Sequence, residues 1–588
     1  MRARLLPLPT RVLTRPRAAR RRSSLRDGHY VRVSPTPLKH PRIVTYSKCM
    51  ARELDIDDDV MTSPEMVRIL SAGTDRDLEP WATPYAVSVM GNEIPSPDAF
   101  RGDGYGDGRA ISLGEFVGAN AQRWELQLKG AGTTPFSRQF DGRAVLRSSI
   151  REFLVSEAMH NLRVPTTRAL SLVMSDSGRS ESIGFGPESS RDGSSEYVAR
   201  AWYEENERSK PTPPNSLVLE RCAITCRASS SFVRVGSLEL FARRLRRAIR
   251  NDRDSDQKHA RRRLEELFYH SCRREFSVAL NELDVKDMDT FRGRVDEVVP
   301  AVLQTFAERQ VELVTHWIRC GYVQGNMNSD NCLLSGATMD YGPFGFIEKY
   351  DPTWTPFTSD PMKNCGFERQ PIATHLNTAV FCRALSLLVS ERVHSTIDEI
   401  VNDAFPSLLY KSLASMRAQK LGLRQFDAKL WTSLIDLMTA YEVDYTIFWR
   451  SLASCDCRGD NLEATDDRNY DRIRRAFYDR GDSGRGAWLT WLKSWRSKVL
   501  EDMGASTCET ERKKRMKAVS PKYVPREWML YEAYEAAEEN DFGPLEVLQK
   551  VFASPYDEQE EGIEKSFFRR TPSQYQGKPG VAFFSCSS

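Results

Sequence analysis

At 588 residues the chain is too long for one small core, so roughly two or three structural units are expected. Hydrophobic residues at 40% and charged residues at 28% exclude a disordered or fibrous chain, and no apolar run is long enough to span a bilayer. A net charge of +3 is near balance and implies no general polyanion binder.

Residues 1–26, MRARLLPLPTRVLTRPRAARRRSSLR, hold nine Arg and no acid, the first acid being Asp27. An Arg-rich, acid-free leader with Leu, Ser and Thr reads as a mitochondrial transit peptide. A disordered basic tail and a plastid signal are the other readings, because the prolines weaken any amphipathic helix. Mitochondrial import is the expectation, and residues 1–26 are set aside in reading the fold.

From 27 to 236 short β-rich runs alternate with turns. GDGYGDGR (102–109) carries Gly102, Gly104, Gly106 and Gly108 at every second position. A strand would gain nothing from so many glycines, whereas a loop that brings backbone N–H groups close to phosphates would use them; a flexible turn is the plainer reading. RWELQLKG (123–130) alternates Trp124, Leu126 and Leu128 with polar residues and predicts a half-buried strand ending at Lys129. Lys129 is an ordinary surface lysine or a point charge for a phosphate. LRSSIREFLVSEAMHNL (146–162) predicts a helix with Leu146, Ile150, Phe153, Leu154 and Ala158 on its apolar face. On it, Glu152 is the candidate partner for Lys129 and Glu157 the second choice. VPTTRALSLVMS predicts a turn and a strand; residues 177–216, rich in Ser, Gly and Pro, predict an insertion or mobile loop. LERCAITCRASS predicts a further strand. Arg227 and Arg234 lie seven apart, on opposite faces of any continuous strand, so aiming both at one ligand requires a bend.

Residues 237–525 read as mainly helical. Leu238, Phe241, Leu245 and Ile249 form one face of a helix whose other face is Arg. Acids are interleaved in this basic region and no aromatic stacking pattern accompanies it, so a solvated helix face is preferred to nucleic-acid binding. Within this region GNMNSDNCLLSGATMDYGPFGF (325–346) gathers Asp330, Asn331 and Asp340. Asn and Asp oxygens are hard ligands suited to Mg²⁺ or Mn²⁺; a polar turn is the alternative. DYG resembles the D-F-G of protein kinases, and the order Gly-rich loop, strand Lys, helix acid, Asn and Asp is the kinase order. The kinase base would precede Asn331 by five residues, at Asn326, and an amide does not accept a proton at neutral pH. Trp488, Trp491, Leu492 and Trp495 predict a core face, and 526–540 a further helix leading into the tail, 526–588. The twelve cysteines lack zinc-finger spacing and read as reduced, half-buried thiols, except Cys586 near the terminus.

With these pieces in place, the chain resembles the selenoprotein O family of kinase-like protein adenylyltransferases. LQLKGAGTTPFSRQFDGRAVLRSSIREFLVSEAMH (126–160) carries the longest match; YGDGRA, MNSDN and DYGPFGF are further ones, with VRVSPTPLKHPRIV and MKAVSPKYVPREW extending it over most of the chain. The resemblance implies an α+β, bilobal protein-kinase-like fold, with a β-containing N-lobe (27–236), a larger helical C-lobe (237–525), and ATP bound in a reversed orientation so that AMP is transferred. It places nucleotide contacts on Gly106, Gly108, Arg109, Lys129, Asp141, Gly142, Arg227, Arg234 and Asp340, and metal ligands on Asn331 and Asp340. The family's proton acceptor falls on Asp330 and the acid that pairs with the lysine on Glu152. The implied partners are ATP, Mg²⁺ or Mn²⁺, and protein hydroxyls, with the chain acting as a monomer and without nucleic acid. Cys586 falls at the family's terminal cysteine or selenocysteine, a redox position; the cysteine some members carry after the metal loop is not at the matching place, near Pro356, and Cys365, nine residues on, is taken as the expected partner. The family's usual His before the loop Gly is Gln324 here.

Overall fold

The computed structural model describes residues 5–6, 28–73, 78–95, 105–137, 142–176, 182–185, 218–459, 461–478, 484–503 and 508–576. It is a mixed α and β fold, with an antiparallel sheet built from residues up to Ser229 and many helices after Arg234. The main strands are β1 (Val31–Arg32), β2 (Pro41–Tyr46), β3 (Trp81–Ala82), β4 (Ala110–Val117), β5 (Arg123–Lys129), β6 (Arg168–Ser175) and β7 (Val218–Ser229). They lie in the order β1-β3-β4-β5-β7-β6-β2. Leu5–Leu6, inside the Arg-rich leader, pairs with β4 opposite Phe116 and Glu115.

The helices that matter for the site are α1 (Leu146–Asn161), α2 (Val235–Arg250), α3 (Val295–Cys320), α4 (Gln370–Leu385), α5 (Glu527–Glu538) and α6 (Gly543–Ala553). α1 follows its predicted periodicity: Leu146, Ile150, Phe153, Leu154 and Ala158 are all buried. One side of α1 lies against β6 and β7, and α5 and α6 pack on it as well. The core it shares therefore joins Ala223 of the sheet to Tyr322, Phe344, Trp528, Leu545 and Phe552. The four residues of the Trp-rich face, Trp488, Trp491, Leu492 and Trp495, are buried together in a separate core.

Three expectations, on β5, on Ile249 and on the cysteines, are corrected. β5 is not half-buried: Glu125 and Gln127, on its polar side, are as enclosed as Leu126 and Leu128, because residues from Ser112 to Phe232 cover that face with hydrogen-bonding groups. Ile249 is 48% exposed, since the last turn of α2 runs past the core that holds Leu238, Phe241 and Leu245. Within the predicted insertion, Ser182–Phe185 forms a strand on β7, opposite Val218–Arg221; the rest of 177–217 lies outside the described residues. Among the described cysteines nine are buried and only Cys49 and Cys508 are exposed. Among the described residues no helix is long and apolar enough to cross a membrane.

Candidate active site

Sheet register sets up the centre of the site. Gln127 stands opposite Arg227 across β5 and β7, and Lys129 opposite Thr225. Side chains two apart on a strand share a face, as do directly opposed residues, so Gln127, Lys129 and Arg227 project together. α1 brings Glu152 beneath them. Lys129 Nζ donates to Glu152 Oε2 and to Asp340 Oδ1. Arg227 Nη1 lies 3.0 Å from Glu152 Oε1 and 3.6 Å from Asp340 Oδ1, and Nη2 donates to Gln127 Oε1 at 2.6 Å. Glu157, the second-choice partner for Lys129, is engaged elsewhere: its carboxylate takes two hydrogen bonds of 2.8 Å from Arg168.

The side chains of Glu152 and Arg227 are 3% and 4% exposed and that of Lys129 13%, but Asp340 is 34% exposed. The acid of DYG is thus the open member of a cluster that is otherwise closed. Burial alone would raise its pKa; Lys129 first, then Arg227 and Arg109, more than offset this and hold the carboxyl well below the usual carboxylate range. Asp340 is a carboxylate at every ordinary pH. Its backbone is left-handed, with φ 62, a conformation that costs an L residue about 1–2 kcal/mol and that Asp tolerates better than most.

The expected bend between the two arginines is present. β7 ends at Ser229 and α2 starts at Val235, with Arg234 at its N-cap. Arg234 is stitched to the 325–346 segment by the Arg234–Leu333 bridge and by Val235 N–H donating to Cys332 O at 2.8 Å. Its guanidinium lies 4.6 Å from the Tyr85 ring centre and donates to Asp107 Oδ1 at 2.9 Å. Burial works against the Arg234 charge; Asp107 first, and also Asp330 and Asp340, more than restore it, so its pKa lies above the ordinary arginine value. Asp107, between the two glycines of YGDGR, is a site neighbour that sequence reading passed over. Its Oδ2 accepts from Thr83 N–H at 2.9 Å and Thr83 Oγ at 2.6 Å, which ties the loop to the sheet edge.

The glycines of this region have packing reasons as well as a nucleotide reading. A Cβ on Gly106 would lie 2.3 Å from the Phe136 ring, and one on Gly142, at φ +83, 2.2 Å from the Gly132 backbone. Gly108 O accepts from Ser137 Oγ. Arg109 O accepts from Gly130 N–H at 2.8 Å, which holds the start of β4 against the end of β5 beside Lys129. Asp141 lies outside the described residues, as do 101–104.

The segment that carries Asp330, Asn331 and Asp340 is closed at its base by the two-stranded ribbon Tyr322–Val323 with Gly345–Phe346. Ser329–Asn331 forms a single 3₁₀ turn. Ser329 anchors it from below: its hydroxyl donates to Glu239 Oε2 of α2 at 2.7 Å and accepts from Ser88 N–H at 2.8 Å. Asn331 Nδ2 donates to Asn326 O at 3.2 Å, so the amide oxygen is the end turned the other way. Asp330 is half-buried next to it. Asn326 serves the loop itself, accepting from Asn328 N–H at 3.3 Å. Gln324 acts as a strut: Nε2 donates to Met339 O at 2.8 Å, just before Asp340, while Oε1 accepts from Tyr322 Oη at 2.6 Å. An amide oxygen and a permanently ionised carboxylate from one short segment fit a hard divalent cation.

Cys586 lies outside the described residues. Cys365 is buried, and burial pushes its thiol up to about 12; thiol exchange requires access and thiolate, so its expected pairing with Cys586 needs the surrounding segment to open. The basic face near α2 is largely paired with acids: Arg243 and Arg246 with Glu93, Arg261 with Glu265, Arg262 with Glu266.

Comparison with known proteins adds the family. The model of a family described as protein adenylyltransferase SelO matches residues 16–191 and 208–553. The break falls inside the Ser-, Gly- and Pro-rich segment, and the first stretch begins within the Arg-rich leader. A protein nucleotidyltransferase YdiU of Rhodopirellula baltica is 35% identical over 572 residues, covering 95% of this chain and 94% of the relative. Proteins of the same name from Azoarcus sp. and Aromatoleum aromaticum are 34% and 35% identical, again over 95% of this chain and 94% of each relative.

Proposed function

This chain belongs to the SelO family of protein adenylyltransferases, and from that membership we propose that it moves AMP from ATP to Ser, Thr or Tyr hydroxyls of other proteins. In this reading residues 27–236 and 237–525 are the two lobes of a kinase-like fold, with 526–588 as a C-terminal helix and tail. The hydroxyl oxygen bonds to the α-phosphorus, the bond from that phosphorus to the bridging oxygen breaks, and pyrophosphate leaves. Lys129, Arg227 and Arg234 bind and neutralise phosphate oxygens, and Glu152 keeps Lys129 aimed. Gly106, Gly108, Arg109, Asp141 and Gly142 complete the nucleotide contacts. Asn331 and Asp340 would hold Mg²⁺ or Mn²⁺, which supplies charge neutralisation on the phosphates. Asp330 takes the hydroxyl proton or orients a ligand beside it.

The observation that carries the reading is the meeting of Lys129, Glu152, Arg227 and Asp340 around one half-open carboxylate, with an amide, Asn326, where a kinase would keep its base. Positioning and charge neutralisation do most of the catalysis of phosphoryl-type transfer, so the missing base is compatible with transfer. The test incubates the full chain with Mg²⁺ or Mn²⁺ and ATP labelled at the α- or the γ-phosphate. The α-label is expected on protein and the γ-label in pyrophosphate, and mass spectrometry should find an added AMP. Label from the γ-position on protein would make the chain a kinase; bound nucleotide with neither label moved would make it a silent scaffold.

Import into mitochondria directed by residues 1–26 belongs to the same proposal and is checked by fusing them to a reporter. So does a redox role for Cys586. Peptide mapping after oxidation tests it: a disulfide to Cys586 supports that role, and a free Cys586 ends it.

A further inference from the structure

Arg151 immediately precedes Glu152 on α1, and its side chain leaves the helix about 100° away from that of Glu152. It is 2% exposed. Two segments far from it in sequence meet on its guanidinium. Nη1 donates to Gly342 O at 3.0 Å and Nη2 to Phe344 O at 3.4 Å, and the group lies 4.6 Å from the Phe344 ring centre. From the opposite direction comes Glu527, in the first turn of α5, with Oε1 3.1 Å from Nε and Oε2 3.2 Å from Nη2. The carbonyls held are two and four residues past Asp340, and Gly342 N–H closes a turn back onto Asp340 O at 2.9 Å. The left-handed backbone at Asp340 persists only if its surroundings over-determine it, and Arg151 grips the far side of that turn. We propose that Arg151 and Glu527 are positioning residues for transfer: through this buried pair the C-terminal helix fixes Gly342–Phe344, and thereby the Asp340 carboxylate, against Lys129 and α1. The role rests on the assignment of Asp340 and Lys129 to AMP transfer.

The counter-ion is needed because a lone buried guanidinium is unstable. Arg151 and Arg147 are the charged groups facing Glu527, with the Tyr534 phenol beside them. Burial outweighs the pull of the two arginines and pushes the Glu527 carboxyl up to about 7. The ionised pair is therefore present above neutral pH and lost as the pH falls through about 7.

Arg151→Lys, Arg151→Met, Glu527→Gln and Glu527→Asp are compared with the parent chain by hydrogen exchange at the 342–346 amides and by α-label transfer. Faster exchange in that segment is expected in Arg151→Lys and Glu527→Gln even if Arg151→Met does not fold. Unchanged exchange would overturn the proposal whatever the chain transfers. In Glu527→Gln, kcat should fall about ten- to hundredfold, the usual cost of losing an outer-shell partner, with little change in KM for ATP; Glu527→Asp should recover part of it. The parent's rate should drop below about pH 7, and Glu527→Gln should lack that limb. Leu548→Ala, a cavity on α6, is the control: it should lower Tm and leave kcat unchanged, and an equal loss of kcat there would reduce the Arg151–Glu527 effect to stability. If the parent chain moves no α-label, the adenylyltransferase reading falls and the exchange measurement alone decides this proposal.

Discussion

Two charge clusters of this molecule use the same residue types to opposite ends. Around Asp444, Arg526 makes a two-pronged pair, Nη1 to Oδ2 and Nη2 to Oδ1, each 2.8 Å, with Glu348 at 3.3 Å. Asp444 also caps the helix Tyr445–Leu452 by accepting from Ile447 N–H at 3.0 Å. Every charge there has a fixed partner and Asp444 is 0% exposed. Around Asp340, by contrast, Lys129 and Arg227 are shared between two carboxylates, no pair is two-pronged, and one carboxylate is open. A closed fork stores stability, because losing either partner strands a buried charge. In the shared cluster the Asp340 carboxylate stays open to solvent, so its charges can be re-partnered by phosphate and cation.

The comparison can be broken most decisively at Asp340. Asp340→Asn keeps the shape and tolerates the left-handed backbone; transfer of α-label should fall at least about a thousandfold, the scale of losing a charge-stabilising group in phosphoryl-type transfer, while Tm barely moves. Near-normal turnover in folded Asp340→Asn would remove the metal-loop assignment. Arg526→Ala should do the reverse. Urea unfolding should show a loss of about 3–5 kcal/mol, and transfer per folded molecule should match the parent; a selective loss of turnover would mean that the fork takes part in the site. Lys129→Ala comes next, with an expected loss of about a hundredfold in kcat/KM and a smaller stability change than Arg526→Ala. The smallest effect sharpens the line between burial and function. Burial pushes Glu125 from 4.5 up to about 7 against the pull of Ser112 and Arg274. Its raised folded pKa means that its contribution to stability is complete below pH 4.5 and lost as the pH rises through about 7. Glu125→Gln should therefore melt roughly a few degrees above the parent at pH 8, with the gain disappearing towards pH 5. A melting curve insensitive to pH in both chains would place the Glu125 carboxyl in a more solvated setting.

Part of the candidate site was legible in local spacing, and the family resemblance supplied the rest. YGDGR, the strand ending in Lys129, and the Asn331 and Asp340 pair are short motifs that local sequence places but that also read as a flexible turn, a surface lysine and a polar loop. Glu152 was preferred to Glu157 on order alone, and the structure separates them by giving Glu157 to Arg168. Other members carried no such signal. Glu239, which anchors Ser329 from 90 residues away, looks like any acid on an Arg-rich helix. Asp107 was in view within YGDGR, yet its use depends on Arg234 arriving from across the sheet. Gln127 read as the solvent side of β5 because alternation reports which residues are polar and not whether another layer covers them.

The sequence by itself determined the local elements and the inventory of chemistry: the periodicity of α1, the strand before Lys129, the Trp face, the hard oxygen donors, and the amide where a kinase would have a base. These follow from backbone preference and side-chain identity within a few residues. Only the tertiary structure decided which charges share a partner and which are exposed. Asp340 owes its low pKa to Lys129 and Arg227, 211 and 113 residues away in the sequence, and its backbone setting to Gln324 and Arg151. Charge pairing and burial fall off over a few ångströms of space and are indifferent to separation along the chain, so no window of sequence contains them.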